Sequence, residues 1–127
     1  MKNLRILVEN ESDIERLTSV LGSSRVNIES LNIEMLAGQL LVVMTVDLYD
    51  LAMHVLNDAG FAPISEDIIV IDIPDKPGAL AGIMHRLNEA NVHVHSIRHF
   101  HRHDDQAVIG ICADSPNIAR KILHEDR

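Results

Sequence analysis

The sequence predicts an α+β fold built from two copies of one small module, residues 1–66 and 67–127. The main observation is an internal repeat, in which the segment Val26–Leu31 coincides with Val92–Ile97 at a shift of 66 residues. The same shift superimposes apolar residues at helical spacing, placing Ile14, Leu17 and Leu21 on Leu80, Ile83 and Leu87. An extended pattern and a helical pattern therefore both recur, which predicts a tandem duplication with a short joint at residues 65–67.

Composition indicates two soluble modules with aliphatic cores. Hydrophobic residues make up 46% of the 127 residues, with no Trp, one Tyr and two Phe. The 19 acidic and 11 basic residues give a formal net charge of −8, which disfavours nucleic acid and anionic membranes as partners. The lone Cys112 excludes an intrachain disulfide and fits an apolar strand. No apolar run typical of a signal peptide or membrane span is present, so a cytoplasmic location is expected.

The first copy predicts the order strand, helix, strand, strand, helix. Ser12 at the N-cap and Glu15 three residues later form a capping box that opens a helix to about Ser23. Ala37-Gly38 is a tight hairpin signal between two strands. The expected strands are Leu4–Glu9, Val26–Met35 and Leu40–Asp47, followed by an amphipathic helix from Leu48 to Ala59 that stops at Gly60 and a short fourth strand at Phe61–Ser65.

The second copy repeats this order. It predicts strands at Ile68–Ile73, Val92–Phe100 and Gln106–Ala113, a helix from about Ala79 to Ala90, and a helix begun by Ser115-Pro116. The counterpart of the first copy's fourth strand would lie beyond Arg127, so we expect the second module to lack its last strand. The strand at Ile68–Ile73 would then be a long apolar edge, and a homodimer is the simplest way to cover it.

The loop that opens the second module's first helix has the chemistry of an anion site. Pro77 fixes φ, Gly78 leaves room for close approach, and Ala79 and Leu80 begin a helix with free backbone N–H groups. Such a helix end attracts a carboxylate, and Asp75 or a loop carbonyl could accept an ammonium group. The simpler alternative is that Pro-Gly only punctuates the start of the helix.

The segment Asp75–Leu80, the helix positions Ile83 and Leu87, and the returning strand Asn91–Ile97 resemble an ACT domain. The resemblance extends through the repeat to nearly the whole chain, although the first copy has Asn10–Asp13 in place of the Pro-Gly signature. It implies two βαββαβ modules of the ferredoxin-like class, with antiparallel sheets and helices on one face. It also implies a regulatory protein that binds a free amino acid and modulates a partner enzyme or regulator, and that is not itself an enzyme.

The ACT family places its ligand between the first loop of one domain and the second strand of its neighbour. Carried over by the resemblance, the first predicted site joins Asp75, Pro77, Gly78, Ala79 and Leu80 to Asn27 and Ile28, and the second joins Asn10, Ser12, Asp13 and Ile14 to Asn91 and Val92. We expect the site at Gly78 to be the better one, because Asp13 brings negative charge to the helix end that must receive the carboxylate.

Histidines crowd one segment of the second copy and open an alternative function. Residues two apart on a strand share a face, so His93 and His95 are candidate ligands for nickel, copper or zinc in a metal-responsive protein. Otherwise we expect no cofactor. Catalytic motifs are absent from the sequence, and Met35, Met44, Met53 and Met84 are expected in the cores. A third possibility is a docking subunit that binds no small ligand.

Overall fold

Two units follow one another along the chain, Met1–Glu66 and Asp67–Arg127. The structure is a computed structural model that describes residues 2–124, so the last three residues of the second predicted module lie outside it. The first unit contains β1 (Asn3–Val8), α1 (Glu11–Ser23), β2 (Ile28–Leu36), β3 (Gln39–Val46) and α2 (Tyr49–Asp58). The second contains β4 (Ile68–Pro74), α3 (Ala79–Glu89), β5 (Val94–His103), β6 (Gln106–Ala113) and α4 (Pro116–His124).

Each unit has an antiparallel three-stranded sheet in which the unit's third strand is central. The strand orders are β1-β3-β2 and β4-β6-β5. Ile64 forms a single antiparallel bridge with Arg5 of β1, where the sequence predicted a short strand at Phe61–Ser65. With this bridge beside β1, the first unit has the strand order of a ferredoxin-like βαββαβ module, and the predicted fold class is confirmed.

Each unit has its own aliphatic core between sheet and helices. The first core includes the predicted stripe Ile14, Leu17 and Leu21, and the second is centred on Leu87 and the alternate residues of β4 and β6. The buried residues are apolar throughout the described part of the chain. The methionine prediction was wrong at two positions: Met35 is 71% exposed near the end of edge strand β2, and Met84 is 38% exposed on α3.

The two units share irregular features as well as regular ones. A β-bulge separates Ile28 from Ser30 in β2, and the same register shift separates Val94 from Ser96 in β5. Arg25 and Asn91, which follow α1 and α3, have φ angles of 61° and 59°. The repeat therefore extends to single backbone conformations, and the shift of 66 residues holds through this part of the chain.

The constant shift fails at Phe100. A second bulge lies between His99 and His101, and beyond it the hairpin pair His103–Gln106 matches Leu36–Gln39 at a shift of 67 residues. Phe100 is thus an insertion in the second unit. Its ring lies over Gly110, where an added Cβ would come within 2.5 Å of the ring. At the shift of 67, Gly110 corresponds to Val43 of β3, so the insertion coincides with a loss of side-chain volume beneath it.

No helix within residues 2–124 is long and apolar enough to cross a membrane. The strand at the edge of the second sheet, β4, pairs with β6. The homodimer expected at this edge stays a prediction.

Candidate functional site

A tight turn leads from β4 into α3 and contains the predicted Pro-Gly loop. The Ala79 amide donates to the Lys76 carbonyl at 3.3 Å, which closes a four-residue turn with Pro77 and Gly78 at its centre. Gly78 has φ 90° and ψ −17°, the conformation of the third residue of a type II turn, which glycine adopts without steric cost. The sequence therefore selects Pro-Gly here because this turn requires both residues.

The turn leaves the positive end of α3 open. Gly78 occupies the N-cap position without a side-chain cap, and the first turn of the helix contains no acidic residue. The first helical bond runs from Gly82 to the Gly78 carbonyl at 3.0 Å. Within residues 2–124, the amides of Leu80 and Ala81 donate no hydrogen bond. These donors and the helix dipole make a local site of positive potential that suits a carboxylate.

The equivalent end of α1 is closed by its own side chains. Asn10 is the N-cap, and its Oδ1 accepts the amide of Asp13 at 3.1 Å and the hydroxyl of Ser12 at 2.6 Å. Asp13 Oδ2 accepts the amide of Glu9 at 3.2 Å. The predicted capping box from Ser12 to Glu15 was wrong, because the overlapping signal Asn10 to Asp13 starts the helix earlier. The first module therefore offers an anion fewer free donors than the second.

Asp75, the predicted ammonium acceptor, already faces a cation. Its Oδ2 lies 3.4 Å from Nε of Arg102, and its amide donates to the Asp105 carbonyl at 2.7 Å. Arg102 was missed by the sequence analysis. It is brought to Asp75 by sheet register, since Arg102 pairs with Ala107 while Pro74 pairs with Gln106. Only the strand order β4-β6-β5 reveals this contact.

The residues expected on the neighbouring module's strand lie before β2 and β5 or at their start. Asn27 is exposed, and its amide donates to Asp47 Oδ1 at 2.9 Å, while Ile28 packs against the first core. Asn91 is exposed, and Val92 is buried in the second core. Ile14 is likewise buried in the first core. The two buried side chains could offer a ligand only their backbone, and pairing across modules stays a prediction.

The predicted metal pair lies at an irregular part of β5. His93 precedes the strand and its amide donates to Asp114 Oδ1 at 3.0 Å, whereas His95 falls in the bulge between Val94 and Ser96. The alternation on which a shared face depended is therefore interrupted. Among residues 2–124, no group of three or more His, Cys, Asp or Glu side chains could hold a metal ion.

Comparison with known proteins finds similarity among solved structures, whereas no protein-family model and no curated protein matches the chain. The chain is similar to protein BT0572 from Bacteroides thetaiotaomicron, with 28% identity, a TM-score of 0.49, and coverage of 98% of this chain and 87% of that one. For the regulatory subunit of aspartate kinase from Thermus thermophilus the values are 14%, 0.43, 98% and 91%. For aspartokinase alpha and beta subunits they are 14%, 0.41, 97% and 90%.

The strand order and the Pro-Gly turn of this chain are those that the resemblance to ACT domains implied. The sheets are antiparallel, and each module places two helices in the order expected for a βαββαβ unit. The resemblance is thus confirmed at the level of the fold.

Proposed function

We propose that the chain is a regulatory module that binds a free amino acid at the beginning of α3. The observation that carries this proposal is the difference between the two equivalent helix ends. In α1 the Asn10 side chain takes the place of a ligand, whereas α3 begins at Gly78 with unpaired amides and no acidic side chain. The second module is thus built to receive an anion from outside the helix.

The chemistry of the loop matches the two charges that every free amino acid carries. The ligand's carboxylate accepts hydrogen bonds from the amides of Leu80 and Ala81, where the helix dipole stabilises negative charge. Its ammonium group pairs with Asp75, which is partly exposed and now contacts Arg102 through a single nitrogen. Arg102 therefore competes with the ligand for Asp75 and separates from it when the ligand binds.

Binding at this loop supports regulation because it joins elements that are otherwise connected only through the sheet. A ligand that bridges the α3 amides and Asp75 favours one arrangement of the loop, and a partner that distinguishes the two arrangements senses the ligand. We propose a metabolic enzyme or a regulator as that partner, and a homodimer as the assembled form.

Calorimetric titration of the full chain with each of the twenty amino acids tests the proposal. We expect one amino acid or one chemical group of them to bind, and the Gly78→Val variant to lose that binding, since a Cβ at residue 78 would stand in open space in front of the helix end.

Gly60→Val is the matched control. Gly60 has φ 92° and also has no atom within 4 Å of an added Cβ, so valine there introduces the same backbone strain away from α3. Binding retained in Gly60→Val and lost in Gly78→Val supports the site. Equal binding by both variants, or no binding of any amino acid by the native chain, contradicts the proposal and favours a docking subunit without a small ligand.

A further inference from the structure

Two imidazoles lie side by side on the regular half of β5. The rings of His101 and His103 are stacked, with centroids 6.3 Å apart and an angle of 13° between their planes. The two residues pair with Val108 and Gln106 of β6 without a register shift between them, so both side chains leave the same face of the sheet. This regular geometry is what His93 and His95 lack.

A carboxylate orients the second imidazole. Nε2 of His103 lies 3.3 Å from Oδ2 of Asp104, the first residue of the hairpin turn. Such a contact favours the tautomer with hydrogen on Nε2 and leaves the Nδ1 lone pair for a metal ion. The His103 side chain is 53% exposed, so an ion reaches it from solvent.

We propose that His101 and His103 chelate one first-row divalent metal ion, with zinc as the probe ion and water completing its coordination. Two imidazole nitrogens bound to one zinc at about 2.0–2.1 Å each lie at most about 4 Å apart. The stacked rings, with centroids 6.3 Å apart, reach that separation by tilting toward each other, and no backbone change is needed. The chain's net charge of −8 also favours cation binding. This proposal is independent of amino-acid binding at α3.

Zinc titration of the chelator-treated full chain tests the site, with heat measured by calorimetry and the imidazole nitrogens followed by long-range ¹H–¹⁵N NMR. We expect one zinc per chain, with nitrogen shifts confined to His101 and His103 and with Nδ1 of His103 as the bound atom. His101→Gln and His103→Gln each abolish the binding. Asp104→Asn weakens it by about tenfold or more, since an outer carboxylate orients the ligand.

The double variant His93→Gln/His95→Gln is the control and retains zinc affinity. Loss of zinc binding in this control, with retention in His103→Gln, would overturn the proposal and return the site to the irregular part of the strand. Absence of zinc binding by the native chain, or nitrogen shifts spread over all the histidines, would overturn it as well. Circular dichroism of each variant establishes that the fold is retained.

Discussion

Ser12 and Gly78 occupy the same position of the internal repeat, yet only Gly78 is an N-cap. In the first module the helix begins earlier, because Asn10 accepts the Asp13 amide and Asp13 accepts the Glu9 amide. These two bonds satisfy donors that the second module leaves free. A difference of a few side chains thus converts a closed helix end into an open one on the same backbone plan.

The capping role of Asn10 can be measured by substitution. Asn10→Ala removes the acceptor of the Asp13 amide and should destabilise the first module by about 1 kcal/mol. Ser12→Ala removes only a hydroxyl that donates to Asn10, and its effect should stay within about 0.5 kcal/mol. Urea denaturation and hydrogen exchange of the α1 amides measure both. A larger effect for Ser12→Ala would restore the capping box at Ser12.

Sequence reasoning at the residue scale located the Pro-Gly turn but missed Arg102. Pro77 and Gly78 act through their own backbone angles, which can be read from residue type. The contact of Arg102 with Asp75 depends instead on the strand that lies between them in space. The competing N-cap signals at Asn10 and Ser12 were both visible, and propensity alone did not rank them.

At the scale of the element, β5 departs from its counterpart β2 by one inserted residue. The repeat appeared free of gaps because the segments compared end at Ile97, before the bulge at Phe100. Hydrophobic alternation in β6 is apolar on both faces and so did not expose the change of shift. Strand order and core faces could thus be predicted from periodicity, whereas the bulges required the hydrogen-bond register.

Phe100 and Gly110 should be energetically coupled. Gly110→Val, which introduces the residue found at Val43 of the first module, places atoms where the Phe100 ring lies and should destabilise the second module by about 1–3 kcal/mol. Deletion of Phe100 in the same chain removes both the ring and the bulge and should recover most of this loss.

Urea denaturation of the single variants and the double variant closes the thermodynamic cycle. The matched control is Val43→Gly, which removes a side chain in the first module where no inserted ring fills the space. If Gly110→Val and the deletion of Phe100 prove additive, the ring and the glycine are not coupled, and the insertion needs another explanation.

At the scale of the whole molecule, duplication has produced two modules with separate cores and different helix ends. Equivalent leucines, Leu21 in the first core and Leu87 in the second, are both fully buried. The sequence predicted both from helical spacing, because burial of a helical stripe depends on periodicity more than on tertiary detail. The repeat therefore supplies a matched pair of sites at which each core can be weakened alone.

Leu21→Ala and Leu87→Ala should each destabilise their own module by about 2–5 kcal/mol, since each removes a fully buried side chain and leaves a cavity. Hydrogen exchange should show lost protection in β1 and β3 for the first variant and in β4 and β6 for the second. Leu51→Ala, at a position 41% exposed on α2, is the control and should change stability by about 0.5 kcal/mol or less. Equal loss of protection in both sheets from either leucine variant would show that the two cores unfold as one cooperative unit, whereas confined losses would establish that each module is stabilised by its own core.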